Sequence, residues 1–257
     1  IIDNAFLIYW IVLNTVFSSF SFPGLIYAIT PNQADTQRLF IQVRAALEAG
    51  VRLVQYRDKI STMAEKLRRG RALNQLCREH GAQLIINDDV VLAIATGAAG
   101  VHLGGDDGSI RDARRLLPPN SIIGASCYND LSLAQAALAD GASYVAFGAC
   151  FDSPTKPAAR RVSLNQLQSF RAALGPETAI CGIGGITCDN VSQISKIVDG
   201  VALISELFGN QAAPSTPDQI KNRIQQLRAA PALPDFSTIF NPSRLLIMTS
   251  RNEELFA

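Results

Sequence analysis

Eight times along this chain a short apolar run stops at polar or glycine residues. The runs are Leu25 to Ile29, Leu53 to Tyr56, Gln83 to Ile86, Gly100 to Leu103, Ser121 to Ala125, Tyr144 to Gly148, Ala179 to Ile183 and Gly200 to Ile204. Apolar residues at consecutive positions over so short a span mark strands that are covered on both faces. The segments between them carry helical spacing. In Leu39-Val43-Ala46-Leu47 apolar residues recur every three or four positions, and Gly50 ends that helix in a C-cap role. Leu131-Leu133-Ala134-Ala137-Leu138 repeats the pattern, with Asn129 or Asp130 as N-cap and Gly141 as the stop. Eight such units close more naturally into a (β/α)8 TIM barrel, an α/β fold, than into an open sheet. The competing flavodoxin-like or Rossmann arrangement lacks a G-x-G-x-x-G after its first strand. The 257 residues fit one barrel, which typically takes about 250.

A parallel barrel collects its chemistry at one rim, in the loops after the strands. Arg57 and Lys59 end the second run two residues apart, so both side chains can point the same way; a planar fork and a mobile point charge together suit a phosphate. A solvated basic rim is the plainer reading of that pair taken alone. Gln55 adds an amide suited to the edge of a heterocycle. Asp88 and Asp107 follow the third and fourth runs. Two carboxylates completed by phosphate oxygens are the usual way to hold Mg²⁺. Asp89 and Asp106 are their immediate neighbours, and spacing alone does not choose within either pair. Asn87 is placed to donate to a phosphate or to orient Asp88. His102 divides evenly between a satisfied core histidine and a substrate-facing one, whereas His80 before Gly81 suits a helix end.

Ser126 ends the fifth run. Asp152-Ser153-Pro154-Thr155-Lys156-Pro157 follows the sixth, and its cation flanked by hydroxyls makes a phosphate clamp. Gly184-Gly185 and Ile204-Ser205 fall after the seventh and eighth runs, where barrels often bind phosphate.

The net charge of +1 gives no reason to expect nucleic acid or an anionic membrane as partner, so any anion site is local. Five cysteines, an odd number with no C-x-x-C spacing, read as reduced thiols of a cytoplasmic enzyme. The ends look foreign to the barrel. Residues 1–22 hold the run Phe6 to Leu13, interrupted by Asn14 and shorter than the roughly 20 residues of a membrane span. Their only charge is Asp3, unlike the basic start of a signal peptide. They are read as an extension outside the barrel, residues 23–230 as the barrel, and residues 231–257, after Pro231 and Pro234, as a poorly ordered tail. Met248 to Ala257 resembles the start of glutamate-1-semialdehyde aminomutase, as translation into a neighbouring frame would give; no function is assigned to it.

Taken together, the segments resemble the thiamine-phosphate synthase family. The matching stretches are Tyr27-Ala28-Ile29-Thr30, Gln55-Tyr56-Arg57-Asp58-Lys59, Ile86-Asn87-Asp88-Asp89, Gly100-Val101-His102-Leu103-Gly104, Gly124-Ala125-Ser126-Cys127-Tyr128, Pro154-Thr155-Lys156 and Ile183-Gly184-Gly185-Ile186. They occur in family order between residue 24 and about residue 210.

The resemblance implies a transferase that joins hydroxymethylpyrimidine diphosphate to a thiazole phosphate and releases diphosphate with Mg²⁺. It also implies roles. Gln55, Tyr56, Arg57, Asp58, Lys59 and Asn87 hold the pyrimidine diphosphate, with Ser126 and Lys156 on its diphosphate. Arg57, Lys59, Ser126 and Lys156 carry the catalysis, and Asp88 and Asp107 bind the metal. Ser153, Pro154, Thr155, Gly185, Ile204 and Ser205 are substrate contacts, chiefly on the thiazole phosphate. Gly105 departs from a frequent Gln, and Pro31 from a common Asp after the Ile-Thr pair. Asp152-Ser153-Pro154 departs from a more Thr-rich loop. A thiazole tautomerase on the same barrel and a silent thiazole- or thiamine-binding protein are the rival readings. Oligomeric state is left open, with a homo-oligomer allowed.

Overall fold

A computed structural model describes residues 20–152 and 161–229. Its eight parallel strands close in sequence order, β1 pairing with β8, into the expected barrel. The strands are β1 (Ile26–Ile29), β2 (Leu53–Tyr56), β3 (Gln83–Asn87), β4 (Gly100–Leu103), β5 (Ile122–Tyr128), β6 (Tyr144–Phe147), β7 (Ile180–Ile183) and β8 (Gly200–Leu203). The described helices are α1 (Thr36–Glu48), α2 (Met63–Glu79), α3 (Val90–Thr96), α4 (Ile110–Leu116), α5 (Leu131–Ala139), α6 (Leu164–Leu174), α7 (Val191–Ile194), α8 (Ser205–Phe208) and α9 (Pro217–Ala229). None of them is long and apolar enough to cross a membrane.

Side chains of each strand alternate between two apolar layers. Ala28, Val54, Leu84, Ile86, Val101 and Ile123 point outward onto the helices. Tyr27, Leu53, Ile85, Ile122, Tyr144 and Cys181 fill the lumen. Helix α1 shows how the outer layer is made: Asp35 caps it by accepting from the Arg38 amide, and Leu39, Val43 and Leu47 are buried along one face. Each contributes about 1.5–3 kcal/mol by leaving water. Ala49 is its C-cap, and Gly50 follows with φ +90°. Asp130, not Asn129, caps α5.

Two boundaries differ from the sequence reading. Strand β5 runs on to Tyr128, past the expected end at Ala125, because Ser126 and Tyr128 still pair with β6 across a register shift. The barrel also takes in residues assigned to the extension. Phe22 packs tilted against Tyr27 and edge-on against Tyr144, and Phe20 packs tilted against Tyr144, closing the floor of the lumen with rings. Residues 1–19 and 230–257, with the apolar run Phe6 to Leu13 and the Met248 segment, lie outside the described residues.

Candidate active site

Because every strand is parallel, all the strand ends that the sequence marks out open onto one mouth. The β2 end is set by local bonds. Thr30 Oγ1 accepts from the Arg57 amide at 2.9 Å and donates to the Arg57 carbonyl at 3.2 Å. Asn32 Oδ1 accepts from Arg57 Nη1 at 3.3 Å and from the Lys59 amide at 3.0 Å. The two cations therefore start from a braced loop. Lys59 reaches across to an ion pair with Asp88.

Asp88 has φ +67°, a left-handed backbone that aspartate tolerates better than most residues, and its amide donates to the His102 carbonyl at 2.8 Å. Asp107 Oδ2 accepts from the Gly104 amide at 2.9 Å. Partial burial and the facing Asp88 carboxylate raise the Asp107 carboxyl above its ordinary value, with Lys59 pulling the other way. Asn87, Asp88 and Asp107 border a cleft of about 460 Å³ together with Lys59 and Lys66. The neighbours border the same cleft but bond differently: Asp89 is the N-cap of α3, accepting from the Leu92 amide at 2.8 Å, and Asp107 rather than Asp106 faces Asp88. Among the described residues no group of three or more His, Cys, Asp or Glu could hold a metal ion. Any ion held by Asp88 and Asp107 must draw its other oxygens from ligand or water.

Tyr56 turns away from the mouth, which departs from its expected role as a substrate contact, while Asp58 makes internal bonds yet still borders the cleft. Tyr56 is buried in the outer layer and its hydroxyl donates to Asp58 Oδ2 at 2.9 Å. Asp58 is buried too. Burial opposes its charge, but hydrogen bonds from Ser61, Ile60 and Tyr56 outweigh that and hold its carboxyl below the usual value. Its ion-pair partner is Arg69 at 3.2 Å, a residue the sequence did not single out. Arg69 is 4% exposed and also donates to the Gln33 and Ala34 carbonyls, Thr36, Ser61 and Glu65. It ties the loop after β1 to the loop after β2. The Glu65–Arg69 spacing of four on a helix was the available signal.

Glu65 itself is held down at about 2 by Arg68 and then Arg69. Its folded value lies below its ordinary 4.5, so its contribution to stability is complete above that value and fades as pH falls toward about 2. Glu65→Gln should accordingly lose less stability than wild type between about pH 6 and about pH 3 in urea unfolding.

A hydrogen-bonded chain crosses the lumen beneath the mouth. Gln55 Nε2 donates to Tyr27 Oη at 2.8 Å, Tyr27 Oη lies 2.9 Å from Tyr144 Oη, and Tyr144 Oη lies 2.9 Å from His102 Nδ1. His102 Nε2 lies 2.9 Å from half-buried Ser126 Oγ. His102 is thus both a satisfied core residue and a neighbour of the site. Burial pushes its pKa down to about 4, so the ring is neutral at pH 7. Gly124 makes room: a Cβ there would sit 2.1 Å from Tyr144 Cζ and 2.5 Å from His102 Nδ1.

On the far side of the mouth the chain after β6 lies over the β7 end. The Cys150 and Phe151 amides donate to the Ile183 and Gly184 carbonyls. Gly185, at φ +65°, leaves no space for a side chain, since a Cβ would meet the Asp152 carbonyl oxygen at 2.4 Å. Directly after β8, Ile204 is the N-cap of α8 and Ser205 its first residue. Ser153, Pro154, Thr155 and Lys156 lie outside the described residues. Gly105 has room for a side chain: its Cβ would stand in ordinary contact, 3.5 Å from Tyr128 Oη. Gly105→Gln is therefore expected to unfold within about 0.5 kcal/mol of wild type in chemical denaturation.

A closed parallel barrel with opposed cations and carboxylates at the carboxyl ends of its strands defines a (β/α)8-barrel enzyme. A family model described as thiamine monophosphate synthase matches residues 26–207. A thiamine-phosphate synthase of Thiobacillus denitrificans is 48% identical over 189 residues, covering 73% of this chain and 89% of the relative. That of Marinobacter nauticus is 51% identical over 193 residues, covering 74% and 84%. The solved thiamine phosphate pyrophosphorylase of Pyrococcus furiosus superposes with a TM-score of 0.66 at 32% identity, covering 79% of this chain and 96% of its own. The chain belongs to the thiamine-phosphate synthase family and is a transferase.

Proposed function

We propose that this protein joins hydroxymethylpyrimidine diphosphate to a thiazole phosphate, giving thiamine phosphate and diphosphate, as a cytoplasmic enzyme acting on small molecules. The observation that supports this reading is the cleft bordered by Lys59, Asn87, Asp88 and Asp107 in a member of this family, with Arg57 directly after β2 and Ser126 in β5. A thiazole tautomerase, which releases no diphosphate, would leave Arg57, Asp88 and Asp107 little to do.

The bond from the pyrimidine methylene carbon to the diphosphate oxygen breaks, and its electron pair leaves with diphosphate. The ring amino group stabilises the cation left behind. The thiazole nitrogen lone pair then forms the new C–N bond. Arg57 and Lys59 neutralise the departing charge, with Lys156 joining them by resemblance. Asn87 and Ser126 donate to its oxygens, and Gln55 sits at the edge of the ring. Ser153, Thr155, Gly185, Ile204 and Ser205 are assigned by the same resemblance to the thiazole phosphate. Catalysis is then electrostatic and positional, with no nucleophile required.

Asp88 and Asp107 fit Mg²⁺, because two carboxylates held against each other gain from a shared hard cation. When bound, the ion supplies charge neutralisation for diphosphate. Incubation with both substrates should yield thiamine phosphate and diphosphate in Mg²⁺ and neither after chelation with EDTA. Absence of thiamine phosphate in Mg²⁺ would refute the assignment.

A further inference from the structure

With the Gln55 amide nitrogen facing Tyr27, the buried hydrogens of the lumen chain can be spent in only one direction. Gln55 Nε2 donates to Tyr27 Oη. Tyr27 is 1% exposed, and its own hydrogen must find an acceptor; Tyr144 Oη, at 2.9 Å, is that acceptor. Were Tyr144 to donate to Tyr27 instead, a buried Tyr27 hydroxyl hydrogen would be left orphaned, the costlier arrangement. Tyr144 is fully enclosed, so its hydrogen goes to the remaining neighbour, His102 Nδ1. Nδ1 is then a bare acceptor and the proton of the neutral ring sits on Nε2, which donates to Ser126 Oγ. Within this chain of five groups, the Ser126 hydroxyl hydrogen is the one left over, at the mouth.

We infer that Tyr27, Tyr144 and His102 are positioning residues that present Ser126 to the mouth as a hydrogen-bond donor, and so favour an anionic diphosphate there. Identifying the anion rests on the proposed reaction; the direction of the chain does not. The reverse direction would turn Ser126 into an acceptor toward the mouth, with its hydrogen consumed by His102, and would repel the same anion. Gly124 belongs to the device, because any Cβ there collides with both partners of the Tyr144–His102 contact. The phenols are held as neutral donors, since burial raises both above their ordinary range.

Nitrogen NMR on protein labelled with ¹⁵N-histidine reads the direction without any turnover. The two histidines are told apart with a His80→Gln variant. His102 is expected to carry its proton on Nε2 and none on Nδ1; a proton on Nδ1 would overturn the inference. Tyr144→Phe removes the donor to Nδ1. It should shift the His102 signals toward a mixture of tautomers and weaken binding of inorganic diphosphate, titrated in Mg²⁺ buffer, about tenfold. Unchanged signals with unchanged diphosphate affinity would also overturn it. Should Tyr144→Phe fail to fold, Tyr27→Phe breaks the chain one link earlier and carries the same expectation. If wild type shows the Nε2 proton but makes no thiamine phosphate, the proposed reaction fails and the chain's direction stands.

Discussion

Arg69→Ala is expected to lower the unfolding free energy by about 3–5 kcal/mol, the usual cost of stranding one member of a buried ion pair. The loss has several parts. Asp58, 9% exposed, keeps its bonds from Ser61, Ile60 and Tyr56 but loses its counterion. The Gln33 and Ala34 carbonyls lose their donor, and the loop bearing Asn32 comes free of α2. Urea denaturation measures the effect, and a loss below about 1 kcal/mol would show that the clamp is ornamental. Activity should fall with it, because the same loops brace Arg57 and Lys59.

Asp88→Asn and Asp107→Asn should each lower turnover by about 10²–10³-fold, the scale found when one stabilising group is lost from an active site. Asn tolerates φ +67° about as well as Asp and has nearly its shape, so Asp88→Asn tests charge with little disturbance of fold. Asp89→Asn and Asp106→Asn are the controls. Asn still caps a helix at position 89, and Asp107 rather than Asp106 faces Asp88, so both variants should turn over within about twofold of wild type. Steady-state kinetics at saturating Mg²⁺ decide the matter. A large loss in Asp106→Asn beside a normal Asp107→Asn would move the metal to the other carboxylate.

All eight strands were legible because parallel strands sheathed by helices must be apolar at consecutive positions, and little else in a soluble chain is. The end of β5 was not. Cys127-Tyr128-Asn129 reads as a loop by composition, while the ladder to β6 continues as far as Tyr128 with a shifted register. The strand-end polar residues were legible as a rim, since the fold dictates where such residues gather. Which way each points was not. Gln55 faces the lumen and Tyr56 the helices, a matter of parity that depends on where the neighbouring strand lies. Arg69 escaped notice beside Arg68, an equally charged neighbour that sits exposed on Glu65. The lumen chain escaped notice because its members come from five strands, and no local spacing joins Tyr27 to Tyr144.

Gln42 makes a last point about how such a molecule is made. Its amide nitrogen donates to the Phe208 and Ser215 carbonyls, 166 and 173 positions away, stitching α1 to the segment after β8. β1 likewise waits for residues Val201 to Leu203 to arrive. During synthesis on the ribosome, the first strand keeps a bare edge until almost the entire cylinder has been delivered. The nascent chain must be shielded from sticking to its neighbours throughout that interval.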